Sequence, residues 1–216
     1  MKKAVSLLLA LTMALSLTAC GGSKDASKDT QSGTKTASGE TSGGDAETIK
    51  IGLCQPFTGS VAVAGEYSRR GVDLAVEQIN DAGGFEVGGK MYKIEIVEED
   101  NEGKPEITNN AYNKLIGQDK VKAIIGPDAS GPLISAGPLA TAAKVPAIGT
   151  TSSNPDCTTV GGEYVFRACW IDSFQAVVCA KMASETLKAK KVAVLYSNAD
   201  DYSSGLATNF QKEFEA

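Results

Sequence analysis

From residue 48 onward, short apolar runs alternate with longer stretches in which apolar residues recur every three or four positions. Residues 49–53 alternate apolar and polar side chains, which predicts a half-buried strand. Residues 66–80 place Val72, Val76 and Ile79 on one stripe, which predicts an amphipathic helix. The alternation continues, and it predicts strands at 92–97, 121–125, 145–149, 164–168 and 192–196 and helices at 105–115, 132–143 and 172–188 and from residue 202.

This order of strands and helices predicts an α/β fold with a doubly wound parallel sheet and right-handed crossovers. Several strands are apolar throughout, as expected where helices cover both faces of a sheet. The regular winding ends after residue 149, because no clear helix separates that strand from the one at 164–168. Pro138 lies inside the third predicted helix, where a proline removes a backbone donor, and it predicts a break or a restart there.

The C-terminal part is too small to be a domain by itself. Residues 48–168 form a lobe of ordinary size, whereas residues 169–216 supply only two helices and one strand, which bury too little surface to be stable alone. We therefore expect an N-terminal ligand-binding lobe at 48–168 and the start of an incomplete C-terminal lobe at 169–216, the second lobe being truncated. The alternative is that the last strand and helix pack onto the first sheet.

The first twenty residues have the features of a targeting signal. Lys2 and Lys3 precede fourteen uncharged residues rich in leucine and alanine, a length that suits a secretory signal and is too short to span a membrane. Leu17-Thr18-Ala19-Cys20 resembles the cleavage motif of bacterial lipoproteins, whose cysteine becomes the lipidated N-terminus. The resemblance implies a signal peptide at 1–19 and an extracytoplasmic protein, lipid-anchored to the outer face of the bacterial plasma membrane or periplasmic. An ordinary cleaved signal, with Cys20 incidental, is the alternative.

The segment at 21–47 has the composition of a flexible linker. It contains no aromatic residue and no valine, isoleucine, leucine or methionine, so it cannot bury enough surface to order itself. Its root-mean-square reach is about 30 Å by the scaling for Gly-rich chains. Such a linker, with a lipidated Cys20 at its start, lifts a globular part off a membrane surface.

Composition and charge exclude several classes of function. The 216 residues carry 21 basic and 26 acidic side chains, a formal charge of −5, which argues against a nucleic-acid partner. There is no histidine, which excludes Ser-His-Asp and Cys-His catalysis and zinc bound by histidine. The five cysteines contain no CxxC pair, so metal and thioredoxin-type sites are weakly supported. Apart from Cys20, the remaining four form two disulfides or none, and the sequence does not decide between these states.

Loops that follow the predicted strands lie where open α/β sheets bind ligands. The loop at 54–60 lacks GxGxxG, and the loop at 126–132 has neither a Walker A lysine nor GxSxG. The second loop instead offers Ser130 and free backbone N–H groups at a helix N-terminus, which suit a carboxylate. The hydroxyl run at 150–153 lies at the end of the next strand and completes the clamp. The alternatives are that Ser130 caps its helix and that the run is an ordinary turn.

Taken in order, these segments resemble the substrate-binding lipoproteins of ABC transporters for branched-chain amino acids, the Leu/Ile/Val-binding family of type I periplasmic binding proteins. That resemblance implies two Rossmann-like lobes joined by hinge crossings, with the ligand buried in the cleft between them. Members of the family are considerably longer than this chain. The matching segments are Ile49-Lys50-Ile51-Gly52, Phe57-Thr58-Gly59, 71–80 with Gly83-Gly84, Ile125-Gly126 with Ser130, Val145-Pro146, Phe166-Arg167-Ala168-Cys169 with Asp172 and Gln175, and Tyr202 with Gly205.

The resemblance also implies roles for individual residues. By position, Ser130 bonds the ligand carboxylate, Ser153 corresponds to the clamp threonine of the family, and Thr151 lies on the same loop. Backbone carbonyls around Asp128 and Thr151 are implied as acceptors for the ligand ammonium, in the loop that also contains Ala129. Tyr202 corresponds to the tyrosine of the second lobe that closes over the ligand. The sequence departs from the family at Ala64, where an aromatic residue is common, and at Ala129, where some members have a disulfide-bonded cysteine.

Three further residues lie near the expected crossing between the lobes. Asp172 and Gln175 have capping-box spacing before a predicted helix, which explains both without a ligand. A ligand-binding role for Asp172 is the alternative. Trp170, the only tryptophan, either lines the cleft or packs against the hinge. Arg167 is expected to pair with a carboxylate near the hinge.

The function that these features predict is capture of an amino acid, branched-chain or similar, by the extracytoplasmic solute-binding component of an ABC importer. Its partners would be the small-molecule ligand, the permease subunits in the membrane and the lipid anchor. A sensor of the same fold, for an amino acid, an amide or urea, is the alternative. An enzyme is not expected, and neither is a cofactor, a bound metal or a nucleic-acid partner.

Overall fold

The computed structural model describes residues 46–216 of the chain. The sheet strands are β1 to β6 and the helices are α1 to α6. In chain order they are β1 (Glu47–Gln55), α1 (Ala62–Asp81), β2 (Phe85–Val87), β3 (Lys90–Asp100), α2 (Pro105–Lys114), β4 (Ala123–Ile125), α3 (Ser130–Ala143), β5 (Ala147–Gly149), α4 (Asp156–Thr159), β6 (Val165–Arg167), α5 (Asp172–Lys181) and α6 (Asp201–Glu215). Helices α2 and α5 continue directly into π-helical turns at Leu115–Asp119 and Met182–Thr186.

The six strands form one sheet in the order β2-β3-β1-β4-β5-β6, and all neighbours except β2 and β3 run parallel. The predicted α/β fold with a doubly wound parallel sheet is therefore confirmed. The chain leaves β1 toward β3 on one side and returns to β4 on the other. This reversal is a topological switch point, and ligands of such sheets bind beyond the carboxyl ends of the strands that flank it.

The core lies between the central strands and helices α2 and α3. Cys54, Tyr112, Leu115 and Ile124 are fully buried there. Gly52 makes the packing possible, because a Cβ at its position would lie 2.9 Å from Leu115 Cδ1. The absence of a side chain in the middle of β1 thus lets the end of α2 lie close to the sheet.

The edge of the sheet contains a hairpin that the pattern did not predict. β2 pairs antiparallel with β3, and β3 begins at Lys90, before the predicted start at residue 92. Gly88 and Gly89 connect the two strands with φ values of 58° and 81°. Positive φ at both central residues is the conformation of a two-residue hairpin turn, for which Gly-Gly is a recognised signal.

Helix α3 runs through Pro138 without interruption, so the predicted break is wrong. A proline inside a helix costs about 3 kcal/mol by removing a hydrogen bond and crowding the previous turn. Burial offsets that cost here, since Leu133, Ala136 and Ala140 are fully buried along the same helix. Tertiary packing thus outweighs the local preference of the proline.

The strand predicted at 192–196 is also wrong. This segment pairs with no strand of the part of the chain that the structure describes. Leu195 is fully exposed, and the exposed fractions of Val192, Val194 and Tyr196 are 42–53%. A segment with alternating apolar residues forms a strand only where a neighbouring strand pairs with its backbone N–H and C=O groups. The six strands of the sheet all lie within residues 47–167.

The cysteines of the described region are free thiols: Cys54, Cys157, Cys169 and Cys179. Burial raises the pKa of Cys54 to about 12 and that of Cys157 to about 11, so both remain protonated at neutral pH. Cys54 and Cys157 are therefore packing residues rather than nucleophiles. Among residues 46–216, no helix combines the length and the apolar character needed to cross a bilayer.

Tyr112→Phe is expected to lower the free energy of unfolding by about 1–3 kcal/mol. The buried Tyr112 hydroxyl donates to the Gly126 carbonyl at 2.7 Å, and its removal leaves that carbonyl without this donor. Chemical denaturation measures the loss. Tyr67→Phe, on the exposed face of α1, is the matched control and should change stability by less than about 0.5 kcal/mol. Equal effects of the two substitutions would contradict the assignment.

Candidate functional site

A cavity of about 310 Å³ lies at the carboxyl ends of β4 and β5, beside the first turn of α3. The start of α6 bounds it on the other side, and its volume suits a small molecule. Six of the seven predicted ligand residues line it, whereas Asp172 does not. The lining residues are Asp128, Ala129, Ser130, Thr151, Ser153, Trp170, Asp200 and Tyr202.

Ser130 is positioned to donate a hydrogen bond into this space. It is the first residue of α3 and is 1% exposed. Its Oγ accepts a hydrogen bond from the backbone N–H of Asn154 at 3.2 Å, which leaves the hydroxyl hydrogen for another acceptor. The N-cap residue is Ala129 and makes no side-chain cap, so Ser130 does not cap the helix. A hydroxyl donor at a helix N-terminus favours an anionic group.

Hydroxyl groups join the loop after β5 to the loop after β4. Thr151 Oγ1 donates to the Asp128 carbonyl at 2.8 Å. The Ser152 hydroxyl is fully buried and lies 3.0 Å from the Pro127 carbonyl and 3.1 Å from the Asp128 carbonyl. The sequence showed Ser152 only as one of a run of hydroxyls, because nothing local distinguishes the buried member of such a run. These bonds also mean that the Asp128 carbonyl is already an acceptor within the protein.

Arg167, at the end of β6, supports the same loop from behind. Its guanidinium donates to the carbonyls of Ser153 at 2.9 Å and Asn154 at 2.8 Å, and to Thr158 Oγ1 at 2.7 Å. It forms no ion pair with a carboxylate of the described residues, so the predicted carboxylate partner is wrong. A planar group with five donors can satisfy several carbonyls at once, and Arg167 therefore orders the segment that contains Ser153.

Asp172 lies just outside the cavity and is fully buried. Its backbone N–H donates to the Ser153 carbonyl at 3.0 Å, but neither carboxylate oxygen has a hydrogen-bond partner. Helix α5 has no side-chain cap, so the capping-box interpretation of Asp172 and Gln175 is wrong. Burial raises the pKa of Asp172, while the nearby Ser153 hydroxyl and Arg167 charge act in the opposite direction.

Two aromatic side chains face the cavity. Trp170 is 64% exposed, and its Nε1–H donates to Gln175 Oε1 at 2.8 Å. Tyr202, in the first turn of α6, is 38% exposed. Of the two alternatives for Trp170, the structure places it in the lining of the cavity. Exposed ring faces beside hydrogen-bonding groups can cover an apolar part of a ligand.

The start of α6 lies close to α3 and to the loop after β5 at two glycines. A Cβ on Gly131 would lie 2.7 Å from Asp201 Oδ2, and one on Gly205 would lie 2.7 Å from Asn154 Nδ2. The Asn154 side chain donates to the Asp201 carbonyl at 2.8 Å. The two glycines thus allow the first turn of α6 to form one wall of the cavity.

The family model described as periplasmic binding protein matches residues 48–216, which is most of the chain. The chain belongs to the periplasmic binding protein family. The resemblance predicted from the ordered motifs is confirmed. Among residues 46–216 of this periplasmic binding protein, no cluster of histidine, cysteine, aspartate or glutamate is arranged to hold a metal ion.

Curated and solved relatives share this fold. An amino acid binding protein of Pseudomonas aeruginosa is 38% identical over 159 residues, which cover 74% of this chain and 41% of that protein. The substrate binding protein LivJ of Streptococcus pneumoniae, solved with isoleucine, is 37% identical with a TM-score of 0.71, over 79% of this chain and 47% of that one. A solute binding protein of R. palustris, solved with 4-hydroxybenzoate, is 28% identical with a TM-score of 0.68, over 78% and 44%. The chain spans less than half the length of these relatives.

Arg167→Met is expected to lower the free energy of unfolding of this periplasmic binding protein by about 2–3 kcal/mol, because several carbonyls lose a charged donor. Arg70→Met is the matched control, since Arg70 makes only an exposed ion pair with Glu66 and should contribute less than about 1 kcal/mol. Arg167→Lys should recover part of the loss, because an ammonium group lacks the planar fork of donors. Chemical denaturation compares the variants, and an equal loss for Arg70→Met and Arg167→Met would contradict the role of Arg167.

Proposed function

We propose that the protein is the extracytoplasmic solute-binding component of an ABC importer, which captures an amino acid and delivers it to permease subunits in the membrane. The observation that carries the proposal is the geometry of Ser130. Its hydroxyl lies at the N-terminus of α3, where its oxygen accepts from the Asn154 N–H, and it lines a cavity that also contains two aspartates. Donors for a carboxylate and acceptors for an ammonium are the two requirements of an amino-acid site.

The ligand would lie with its carboxylate against α3. Ser130 donates from its hydroxyl, and the first turn of the helix contributes backbone N–H groups that have no acceptor within the helix. Ser153 lies across the cavity on the loop that Arg167 orders. Trp170 and Tyr202 are the groups available to an apolar side chain of the ligand. No bond in the ligand changes, which fits a carrier rather than an enzyme.

Capture would involve closure of the second lobe, which we assign to begin at residue 169. Tyr202 lies in α6, and Asp200 is the N-cap residue of that helix. The other lining residues, Trp170 excepted, lie in the segment that we assign to the first lobe. A ligand between them would contact both lobes, and hinge closure around a ligand is a common way to enclose it. The names of the relatives support an amino acid as cargo, since one is an amino acid binding protein and another was solved with isoleucine. No observation favours the sensor alternative.

We also propose that Cys20 is lipidated and that residues 21–47 link it to the binding lobe. The signal peptide at 1–19, Cys20 and residues 21–45 lie outside the described residues, whereas Glu47 is the first residue of β1. The proposal rests on the Leu17-Thr18-Ala19-Cys20 motif and on the family, whose name places such proteins outside the cytoplasm. A lipid anchor would keep the carrier close to its permease.

Titration calorimetry with the common amino acids, on protein made from the native gene, tests the capture function. At least one amino acid is expected to bind, and Ser130→Ala should weaken that binding by about 1–3 kcal/mol because a ligand oxygen loses its donor. Ser184→Ala is the matched control, since the Ser184 hydroxyl bonds only to the Ala180 carbonyl of its own helix. Failure of every amino acid to bind would reject the proposed function, and unchanged affinity in Ser130→Ala would reject the assignment of Ser130.

Cys20→Ser is expected to release the protein from the membrane fraction of its host and to abolish incorporation of labelled fatty acid. The physical reason is that acyl chains on Cys20 supply the membrane affinity. Cys179→Ser, which alters an exposed thiol on α5, is the control and should leave the protein in the membrane fraction. Retention of Cys20→Ser in that fraction would contradict the anchor.

A further inference from the structure

Asp128 is a buried carboxylate without a cationic partner among residues 46–216. It lines the cavity, it is 8% exposed, and its Oδ1 has no hydrogen-bond partner. No lysine or arginine of the described residues lies within ion-pair distance of it. Buried charges in proteins are normally paired, because an unpaired one costs several kcal/mol. A carboxylate that is unpaired among the described residues and lies at the edge of a cavity is placed to pair with a cationic group of a ligand that enters it.

The other carboxylate of the cavity is already used. Asp200 is the N-cap of α6, and its Oδ2 accepts a hydrogen bond from the backbone N–H of Ser203 at 2.8 Å. Asp128 has only its own backbone N–H and that of Ala129 as nearby donors. Burial raises the pKa of Asp128 despite these two donors, so they do not compensate for the loss of water. The charged side chains that line the cavity are thus both acidic, and Asp128 is the one without a sufficient partner.

Asp128 and Ser130 belong to the same loop, two residues apart, and both line the cavity. An α-amino acid carries its ammonium one carbon away from its carboxylate. A ligand whose carboxylate is bound by Ser130 can therefore place its ammonium against the neighbouring part of the loop. The Asp128 carbonyl is less available for this purpose, because the hydroxyls of Thr151 and Ser152 already bond to it.

Relatives of this chain show why the amine matters. One was solved with isoleucine and another with 4-hydroxybenzoate, and both ligands have a carboxylate but only isoleucine has an amine. A helix N-terminus with a hydroxyl donor accepts either carboxylate, so it does not distinguish the two classes of ligand. An unpaired carboxylate beside the helix N-terminus distinguishes the two classes. It repels the carboxylate of a ligand that has no ammonium group, and such a ligand leaves Asp128 unpaired.

We propose that the Asp128 side chain is the counter-ion of the ligand's ammonium group and that it makes this cavity select α-amino acids over carboxylic acids without an amine. The inference rests on the proposed function, in that it assumes a ligand whose carboxylate is held at Ser130. It goes further by assigning the discrimination to one side chain of the first lobe.

Matched pairs of ligands test the inference on the wild-type protein made from its native gene. The pairs are leucine with 4-methylpentanoate, phenylalanine with 3-phenylpropanoate and alanine with propanoate, and 4-hydroxybenzoate is added as the aryl acid. Titration calorimetry is expected to show that any amino acid that binds does so at least tenfold more tightly than its des-amino partner. A des-amino acid or 4-hydroxybenzoate that binds as tightly would overturn the inference.

Asp128→Asn assigns the effect to the residue. It should weaken amino-acid binding at least tenfold while it leaves the des-amino acids unchanged or slightly tighter, so that the difference within each pair narrows. Asp73→Asn, on the exposed side of α1, is the matched control and should preserve the difference. Thermal unfolding of both variants checks the fold, and the wild-type comparison remains decisive if Asp128→Asn does not fold.

The outcomes separate this inference from the proposed function. The counter-ion role of Asp128 is rejected if an amino acid and its des-amino partner bind with equal affinity. It is also rejected if Asp128→Asn changes the affinity for both members of a pair by the same factor. Amino-acid capture stands in both cases. Absence of binding by every amino acid rejects the capture function and the inference with it.

Discussion

The cavity depends on two loops being held side by side at the carboxyl ends of β4 and β5. Parallel pairing brings the two strand ends to one edge of the sheet. It does not determine the path of the chain beyond the last hydrogen bond between the strands. Ser152 and Arg167 supply that constraint, the first by a buried hydroxyl among carbonyls of the preceding loop and the second by a guanidinium on the opposite side. Because buried carbonyls must be paired, a displaced loop would leave several of them unsatisfied at once. Ser130 and Ser153 face one space for this reason.

The contact of the start of α6 with α3 and with the loop after β5 has a different character from the packing of the core. It includes one side-chain hydrogen bond, from Asn154 of the loop after β5 to the Asp201 carbonyl, and two places where a glycine leaves room for a polar side chain of the other segment. Such a contact is close but small and polar, unlike an apolar core. Small polar interfaces between parts of one chain permit relative motion, whereas large apolar ones prevent it. The closure that we propose for ligand capture would suit this combination, and an added Cβ at Gly131 or Gly205 would displace the end of the Asp201 or Asn154 side chain.

The sequence predicted what is encoded locally and missed what depends on distant partners. The parallel sheet followed from apolar runs and helical stripes, and Ser130 followed from its place at a helix N-terminus after a strand. The segment at 192–196 has the pattern of a strand, but no strand of the described region pairs with it. Pro138 was expected to break a helix whose burial holds it together. Arg167 was expected to find a carboxylate, yet it binds backbone carbonyls, which no sequence pattern marks.

Asp128 and Asp172 show how position decides what an unpaired carboxylate does. Burial raises the pKa of both, but Asp172 has the Arg167 charge and the Ser153 hydroxyl nearby and lies outside the cavity, whereas Asp128 lines it. A carboxyl group with a raised pKa binds its proton more tightly in the folded state than in the unfolded chain. The empty protein therefore loses stability as the pH rises from the ordinary aspartate range through the raised value. A ligand cation at Asp128 reverses this loss, because it favours the ionised form. The cost of leaving Asp128 without a cation in the empty cavity thus becomes part of the affinity for an ammonium group, whereas Asp172 does not line the cavity.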